Sequence, residues 1–323
     1  MKILLITPAA AGSRAGNRAT ATRWARFLRA AGHAVRVATR YDGPRDDRQA
    51  PDLMLALHAW RSADAIATFR DRQPERPLVV ALTGTDIYRF QMSHPETTLA
   101  SMAHADALIG LHHRVRNDIP ADFHDRLHTV VQSATPPRGR LPPLRRRFEI
   151  CIAGHLRDEK DPLRAAWAVR DVPDDSRLHV VGLGQAVDAD WDTAARRETE
   201  TNPRYDWRGE VPRWQVRRLM ARARLMVLSS RMEGGANVVS EACVAGLPLI
   251  ASDIPGNVGL LGEDYPGYYA VGDTAALRAQ LLRAELDPAW LESLRRHCVA
   301  LAAAFRPEAE QAALLGVIDR VAK

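Results

Sequence analysis

LMVLSSRMEGGANVVSEACVAGLPLIA, residues 225–251, is the stretch on which the fold turns. Its two ends, 225–228 and 247–251, are apolar runs with the length and make-up of buried parallel strands. The segment between them supplies a glycine turn and then a helix of about three turns. Glu233 stands in the turn and Glu241 roughly one turn into the helix. With Asn237 as the expected cap, the backbone N–H groups of Gly234, Gly235, Ala236 and Val238 point at one spot, where the helix dipole favours an anion such as a phosphate. Glu241 carries the two acceptor oxygens that a ribose cis-diol needs, and Glu233 is in reach of a sugar hydroxyl.

Outward from this stretch the pattern repeats. Strand candidates fall at 149–153, 178–181, 205–208 and 268–270 in the same half, and at 2–7, 34–38, 53–57, 78–82, 107–111 and 127–131 in the N-terminal half. Helical patterns alternate with them, which implies two parallel sheets covered on both faces. Between the halves, the proline pairs and arginine run of Thr135-Pro136-Pro137 through Arg147 break all periodicity. The expected division is a Rossmann-like half at 1–135, a linker at 136–148, a second Rossmann-like half at 149–300 and a helical tail at 301–323 that packs back on the first half. Open parallel sheets bind ligands beyond the carboxyl ends of their strands, and the polar motifs of this chain fall there.

Composition narrows the class. The chain has 323 residues, 46% of them hydrophobic, and a net charge of 45 − 39 = +6. That is enough for two ordinary cores. Arginine far outnumbers lysine, which suits phosphate-bearing ligands. Only 6% of residues are aromatic and acids are interleaved throughout, so a nucleic-acid groove with stacking platforms is not expected. Cys151, Cys243 and Cys298 are odd in number and far apart, as reduced core thiols of a cytoplasmic protein would be. The apolar run after Met1 is too short for a signal peptide, and no segment approaches bilayer length.

Other motifs weigh less. Gly12 and Gly16 let the backbone after the first strand approach an anion, with Arg14 and Arg18 supplying charge. The loop has neither the order of a P-loop nor the third glycine of a dinucleotide site. His58 ends a strand, where it either faces the ligand cleft or, as a lone histidine more often does, is a packed or surface residue. His112-His113 lacks metal-ligand spacing, and Asp188 and Asp190 read as helix-capping acids. Arg23, Arg26 and Arg29 are expected on a solvated helix face.

The paired glutamates within SSRMEGGANVVSEACVAGLPLIASD resemble the motif of retaining GT-B glycosyltransferases of family 4, although Gly235-Ala236-Asn237 stand where members commonly continue Glu-Gly-Phe-Gly. The resemblance implies two Rossmann-like domains facing across a cleft, an acceptor domain at 1–135 and a domain binding the sugar donor at 149–300, with no metal and no cofactor. In Gly154-His155-Leu156-Arg157-Asp158-Glu159-Lys160, His155 occupies the family's usual arginine position. A departing nucleoside diphosphate gathers negative charge, which fixed cations here would stabilise. Lys160 is the first candidate and Arg157 the second, with Glu233 completing the catalytic set; Gly154, Arg157, Lys160, the 233–238 turn and Glu241 form the donor set. Thr83-Gly84-Thr85-Asp86 resembles the family's His-Gly-Thr-Asp with Thr83 in place of histidine.

A narrower likeness spans most of the chain. TPAAAGSRAGNRATATRWARFLRAAGH, LTGTDIYRFQ, GHLRDEKDPLRAA and SDIPGNVGLLGEDYPGYY look like the selenosugar synthases of selenoneine biosynthesis. This implies reaction of UDP-N-acetylglucosamine or UDP-glucose with selenophosphate to give a 1-selenosugar, UDP and phosphate, with a downstream enzyme of that pathway as functional partner. An anionic acceptor needs cations and N–H donors rather than a base, and Gly12, Arg14, Gly16, Asn17, Arg18, Thr83 and Asp86 are the candidates. A family 4 enzyme acting on a hydroxyl of a metabolite, glycan or lipid, and a non-catalytic UDP-sugar binder, are the competing readings.

Overall fold

The computed structural model describes residues 1–13, 16–43, 50–137 and 139–322. The chain forms two compact units: Met1–Gln132 with Pro307–Lys323, and Ser133–Arg306.

In the first unit six parallel strands, β1 (Lys2–Ile6), β2 (Ala34–Ala38), β3 (Leu53–Leu57), β4 (Leu78–Leu82), β5 (Ala107–Gly110) and β6 (Leu127–Thr129), run in the order β2-β1-β3-β4-β5-β6. Successive side chains alternate between two cores. Ile3, Leu5, Leu53, Leu55, Val79 and Ile109 face Trp24 and Leu28 of the helix Gly16–Ala30. Leu4, Ile6, Met54, Val80 and Leu108 face Ile66, Phe69 and Met102 on the opposite side. Both faces being covered explains why the strands read as unbroken apolar runs.

The first core is completed by the C-terminal helix Pro307–Val321, which contributes Leu314, Val317 and Ile318. Its Glu310, 1% exposed, accepts at 2.7 Å from Trp24 Nε1 and at 2.7 Å from Arg23 Nε. Arg23 is therefore not on a solvated face; its guanidinium binds an acid 287 residues away.

The second unit repeats the plan with β7 (Phe148–Ala153), β8 (Leu178–Leu183), β9 (Tyr205–Trp207), β10 (Leu225–Leu228), β11 (Leu249–Ser252) and β12 (Tyr268–Tyr269), in the order β12-β11-β10-β7-β8-β9, all parallel. Counted from its own first strand this is 3-2-1-4-5-6, the dinucleotide-fold order, and it places the topological switch point between β7 and β10.

Several strand ends differ from the sequence reading by a residue or two, and three boundaries bear on the site or on the division of the chain. β11 starts at Leu249 rather than at 247, because Leu247 N–H still closes the preceding helix on Ala242 O at 2.9 Å and Gly246 turns left-handed at φ 61°. The proline-rich 136–148 segment belongs to the second unit: Leu141 N–H bonds Ala221 O at 3.0 Å, and Arg140 donates to Gly246 O at 2.5 Å. The tail divides between units at 306/307 rather than at 301.

Candidate site at the second switch point

Chains leaving β7 and β10 diverge at the switch point, so their loops border a crevice at the carboxyl edge of the sheet. The loop after β7 forms a 3-10 turn at Asp158–Lys160, and the loop after β10 runs through Ser229 and Ser230 to Glu233. The two are tied by Arg231 N–H on Glu159 O at 2.8 Å. Across this tie Lys160 Nζ donates to Glu233 Oε1 in an ion pair.

Glu233 is 8% exposed and its Oε1 also accepts from Ser230 Oγ at 2.6 Å. Among the described residues nothing donates to Oε2, which leaves that oxygen for a ligand hydroxyl. Lys160, its side chain 21% exposed, spends one of three ammonium protons on Glu233. Two remain for anionic oxygens.

The turn behind this pair is tightly built. Ser252 Oγ donates to Ser230 O at 2.5 Å, and the fully buried Asn257 donates to Ser252 O at 2.9 Å. Gly256 lies so close that a Cβ there would sit 2.1 Å from Glu233 O. On the β7 side, a Cβ on Gly184 would sit 1.8 Å from Gly154 O. Glycine lets those two loops touch.

The helix Asn237–Ala245 follows the turn. Its N-cap is Ala236, not Asn237 as expected; Ala236 is extended at φ −77°, ψ 97°, and the helix begins one residue later. Ala236 has no side-chain acceptor for the first-turn N–H groups, which suits a site where a ligand's oxygens fill that place. Glu241, five residues beyond the cap, does not join the Lys160 pair. Its Oε1 accepts from Arg213 Nη2 at 3.3 Å, with its side chain 24% exposed. Arg157 is half-exposed and, among the described residues, its side chain pairs with Glu159 at 3.7 Å, while its carbonyl accepts Lys160 N–H at 2.9 Å.

The first unit holds the other candidates at the carboxyl ends of β1, β3 and β4, three adjacent strands. Gly12 is exposed at φ 84°, and Gly16, Asn17 and Arg18 open the first helix. Arg14 lies outside the described residues. Asp86 departs from the expected acceptor-facing role: it is fully buried and accepts from Thr83 N–H at 2.9 Å, Gly84 N–H at 2.7 Å and Ala59 N–H at 3.1 Å. A carboxylate so occupied shapes the turn that carries Thr83. His58 is packed rather than at the surface, 1% exposed at φ 77°. Its Nδ1 accepts from Arg61 N–H at 3.2 Å, so Nε2–H donates to Thr85 Oγ1 at 2.9 Å. Burial pushes this imidazole below the usual histidine range against the opposing pull of Asp86.

Asp188 is a helix cap accepting from Trp191 N–H at 2.9 Å. Among the described residues no group of three or more His, Cys, Asp or Glu side chains is placed to hold a metal, and no described helix is long and apolar enough to cross a membrane. All three cysteines are free and buried. Sequence reasoning passed over Ser230, which bonds Glu233, Arg213, which bonds Glu241, and the Asp161–Arg231 pair between the same two loops. Only the position of Arg231 and Ser230 beside the glutamate turn signalled them.

Two Rossmann-like units of six parallel strands, each covered by helices, define the GT-B class of glycosyltransferase folds. Residues 140–303 match the family model Glycosyl transferases group 1, and the chain belongs to that family. It is similar in structure to HepE of Anabaena, solved in complex with UDP (TM-score 0.79, 16% identity, 99% of this chain and 100% of that one), and to sucrose-phosphate synthase of Thermosynechococcus elongatus (TM-score 0.79, 17% identity, 99% and 98%). In sequence it is 25% identical over 256 residues to TuaC of Bacillus subtilis (strain 168), named for teichuronic acid biosynthesis; the match takes in 74% of this chain and 63% of that relative.

Proposed function

We propose that the protein is a glycosyltransferase that takes its sugar from a UDP-sugar held at the β7/β10 switch point. The observation that carries this reading is the Lys160–Glu233 pair beside the start of the helix Asn237–Ala245. Lys160 and the helix start grip the diphosphate, Glu241 takes the ribose diol, and Glu233 Oε2 takes a hexose hydroxyl. As the anomeric C–O bond breaks, its electron pair collects on the terminal phosphate of UDP, where a fixed ammonium stabilises it more than it stabilises the bound donor. Glu233 in turn keeps Lys160 aimed. The family membership and the UDP complex of HepE support the donor assignment.

For the acceptor we propose selenophosphate, supported by the sequence likeness that spans most of the chain. Selenium forms the new bond to the anomeric carbon as UDP leaves; water then cleaves the Se–P bond, giving the 1-selenosugar and phosphate. A polarizable anion needs no proton removed before attack, so this chemistry asks for cations rather than a base. Asn17, Arg18 and Arg14 are the acceptor set, with Thr83 on a turn that Asp86 holds by accepting its N–H.

The experiment is incubation with UDP-N-acetylglucosamine or UDP-glucose and enzymatically prepared selenophosphate, read by mass spectrometry. A selenosugar appearing together with UDP is the expected result. UDP release only with hydroxyl acceptors would replace selenophosphate by the competing reading of sugar transfer to a hydroxyl. Tight UDP-sugar binding with no turnover on any acceptor would leave a binding protein.

A further inference from the structure

One residue in the crevice contradicts its own backbone. Asp161, directly after Lys160, is left-handed at φ 43°, ψ 56°, one of two non-glycine residues with positive φ among the described residues. Glycine would adopt that conformation freely, and a branched or bulky side chain would not. The side chain that stands there is a carboxylate, 3% exposed.

That carboxylate is engaged on both oxygens. Oδ2 accepts from Arg164 Nε at 2.8 Å, and Arg164 Nη1 in turn donates to Thr274 Oγ1 at 2.7 Å, which anchors it to the start of the helix Thr274–Leu286. Oδ1 lies 3.9 Å from Nη2 of Arg231, whose side chain is 56% exposed and whose backbone N–H binds Glu159 O. Asp161 thus fixes the turn that aims Lys160 and draws Arg231 from the facing loop toward it. Arg164 already neutralises the carboxylate, so the positive charge of Arg231 is not cancelled one-to-one.

We propose that Asp161 is a positioning residue of the donor site, holding Lys160 and Arg231 together as a two-cation cradle for the diphosphate. This rests on the UDP-sugar reading above. Arg231 is then a second diphosphate ligand, and Asp161 acts on the nucleotide only through the two cations. The left-handed turn is retained because it places the carboxylate under Arg231 and the ammonium over Glu233 at once.

The test is calorimetric titration of the full chain with UDP, alongside thermal melts, for wild type, Asp161→Asn, Asp161→Gly, Arg231→Ala and the Asp161→Asn/Arg231→Ala double variant. Asparagine tolerates positive φ and keeps the shape while removing the charge; glycine removes the side chain and relaxes the backbone, and stands in should the asparagine variant misfold. The expected result is that each single variant weakens UDP by about tenfold, while the double variant falls within about twofold of the weaker single one, as residues acting through one another do. Asp161→Asn or Asp161→Gly binding UDP like wild type would overturn the proposal and leave the donor site standing. Losses that multiply in the double variant would overturn it too, since Asp161 would then act apart from Arg231. Wild type failing to bind UDP would remove the donor-site reading and this inference with it.

Discussion

Lys160 and Glu233 are 73 positions apart, and each alone is an ordinary charged residue in a loop. Their pairing gives the ammonium a fixed direction and leaves Glu233 Oε2 for a ligand, a division of labour that separates two expected mutant phenotypes. Lys160→Ala should cut turnover about 100-fold, the scale of losing one group that stabilises developing charge, with a smaller change in donor KM. Glu241→Ala should act mainly on donor affinity, weakening it about tenfold or more as hydrogen bonds to a charged acceptor are lost. Steady-state kinetics on both variants checks the split; equal and negligible losses in the two would reject the donor map. At this scale the sequence named charged candidates but not their partners. Asp161, Ser230 and Arg231 carry no motif of their own, and Asp86 reads like a ligand residue only until its oxygens are found filled by backbone N–H groups.

At the scale of elements, turns at the carboxyl edge of the first sheet are locked by buried neutral histidines. His112 accepts from Arg114 N–H at Nδ1, and its Nε2 meets Tyr88 Oη at 2.9 Å, while Tyr88 Oη–H donates to Asp118 at 2.7 Å. Burial, with the nearby His113 and Arg114 charges, lowers the His112 pKa to about 4. The unfolded chain therefore binds a proton that the folded chain refuses between pH 6.5 and about 4. Stability from this group is complete above pH 6.5 and is lost as pH falls toward 4, by about 3 kcal/mol in all. Urea unfolding of wild type and His112→Gln at pH 7 and pH 5 should show the shallower pH dependence in the variant; parallel curves would contradict it. The strands themselves were legible, because burial on both faces forces unbroken apolar runs. Their ends moved by a residue or two where capping decides: the one-residue shift from Asn237 to Ala236 at the helix start follows backbone geometry that side-chain preference does not encode.

For the whole molecule, the chain enters the second unit after Gln132 and returns to the first at Pro307. The returning helix is legible as a helix, whereas its seat is not, since the Trp24–Glu310 and Arg23–Glu310 bonds span 286 and 287 positions. Arg23 read as a surface residue because a periodicity argument sees only neighbours along the chain. Glu310→Ala removes the acceptor of both bonds inside the core and should cost about 3 kcal/mol, seen as an earlier urea transition of the first unit. Donor binding, which belongs to the second unit in this account, should survive it under native conditions. The central claim is that the β7/β10 switch point holds a nucleoside diphosphate, and a crystal of the full chain soaked with UDP tests it most directly. The expected map has diphosphate oxygens within hydrogen-bond distance of Lys160 Nζ and of the N–H groups opening Asn237–Ala245, with both ribose hydroxyls on Glu241. UDP density elsewhere, with Lys160 and Glu241 making no contact to it, would contradict the account.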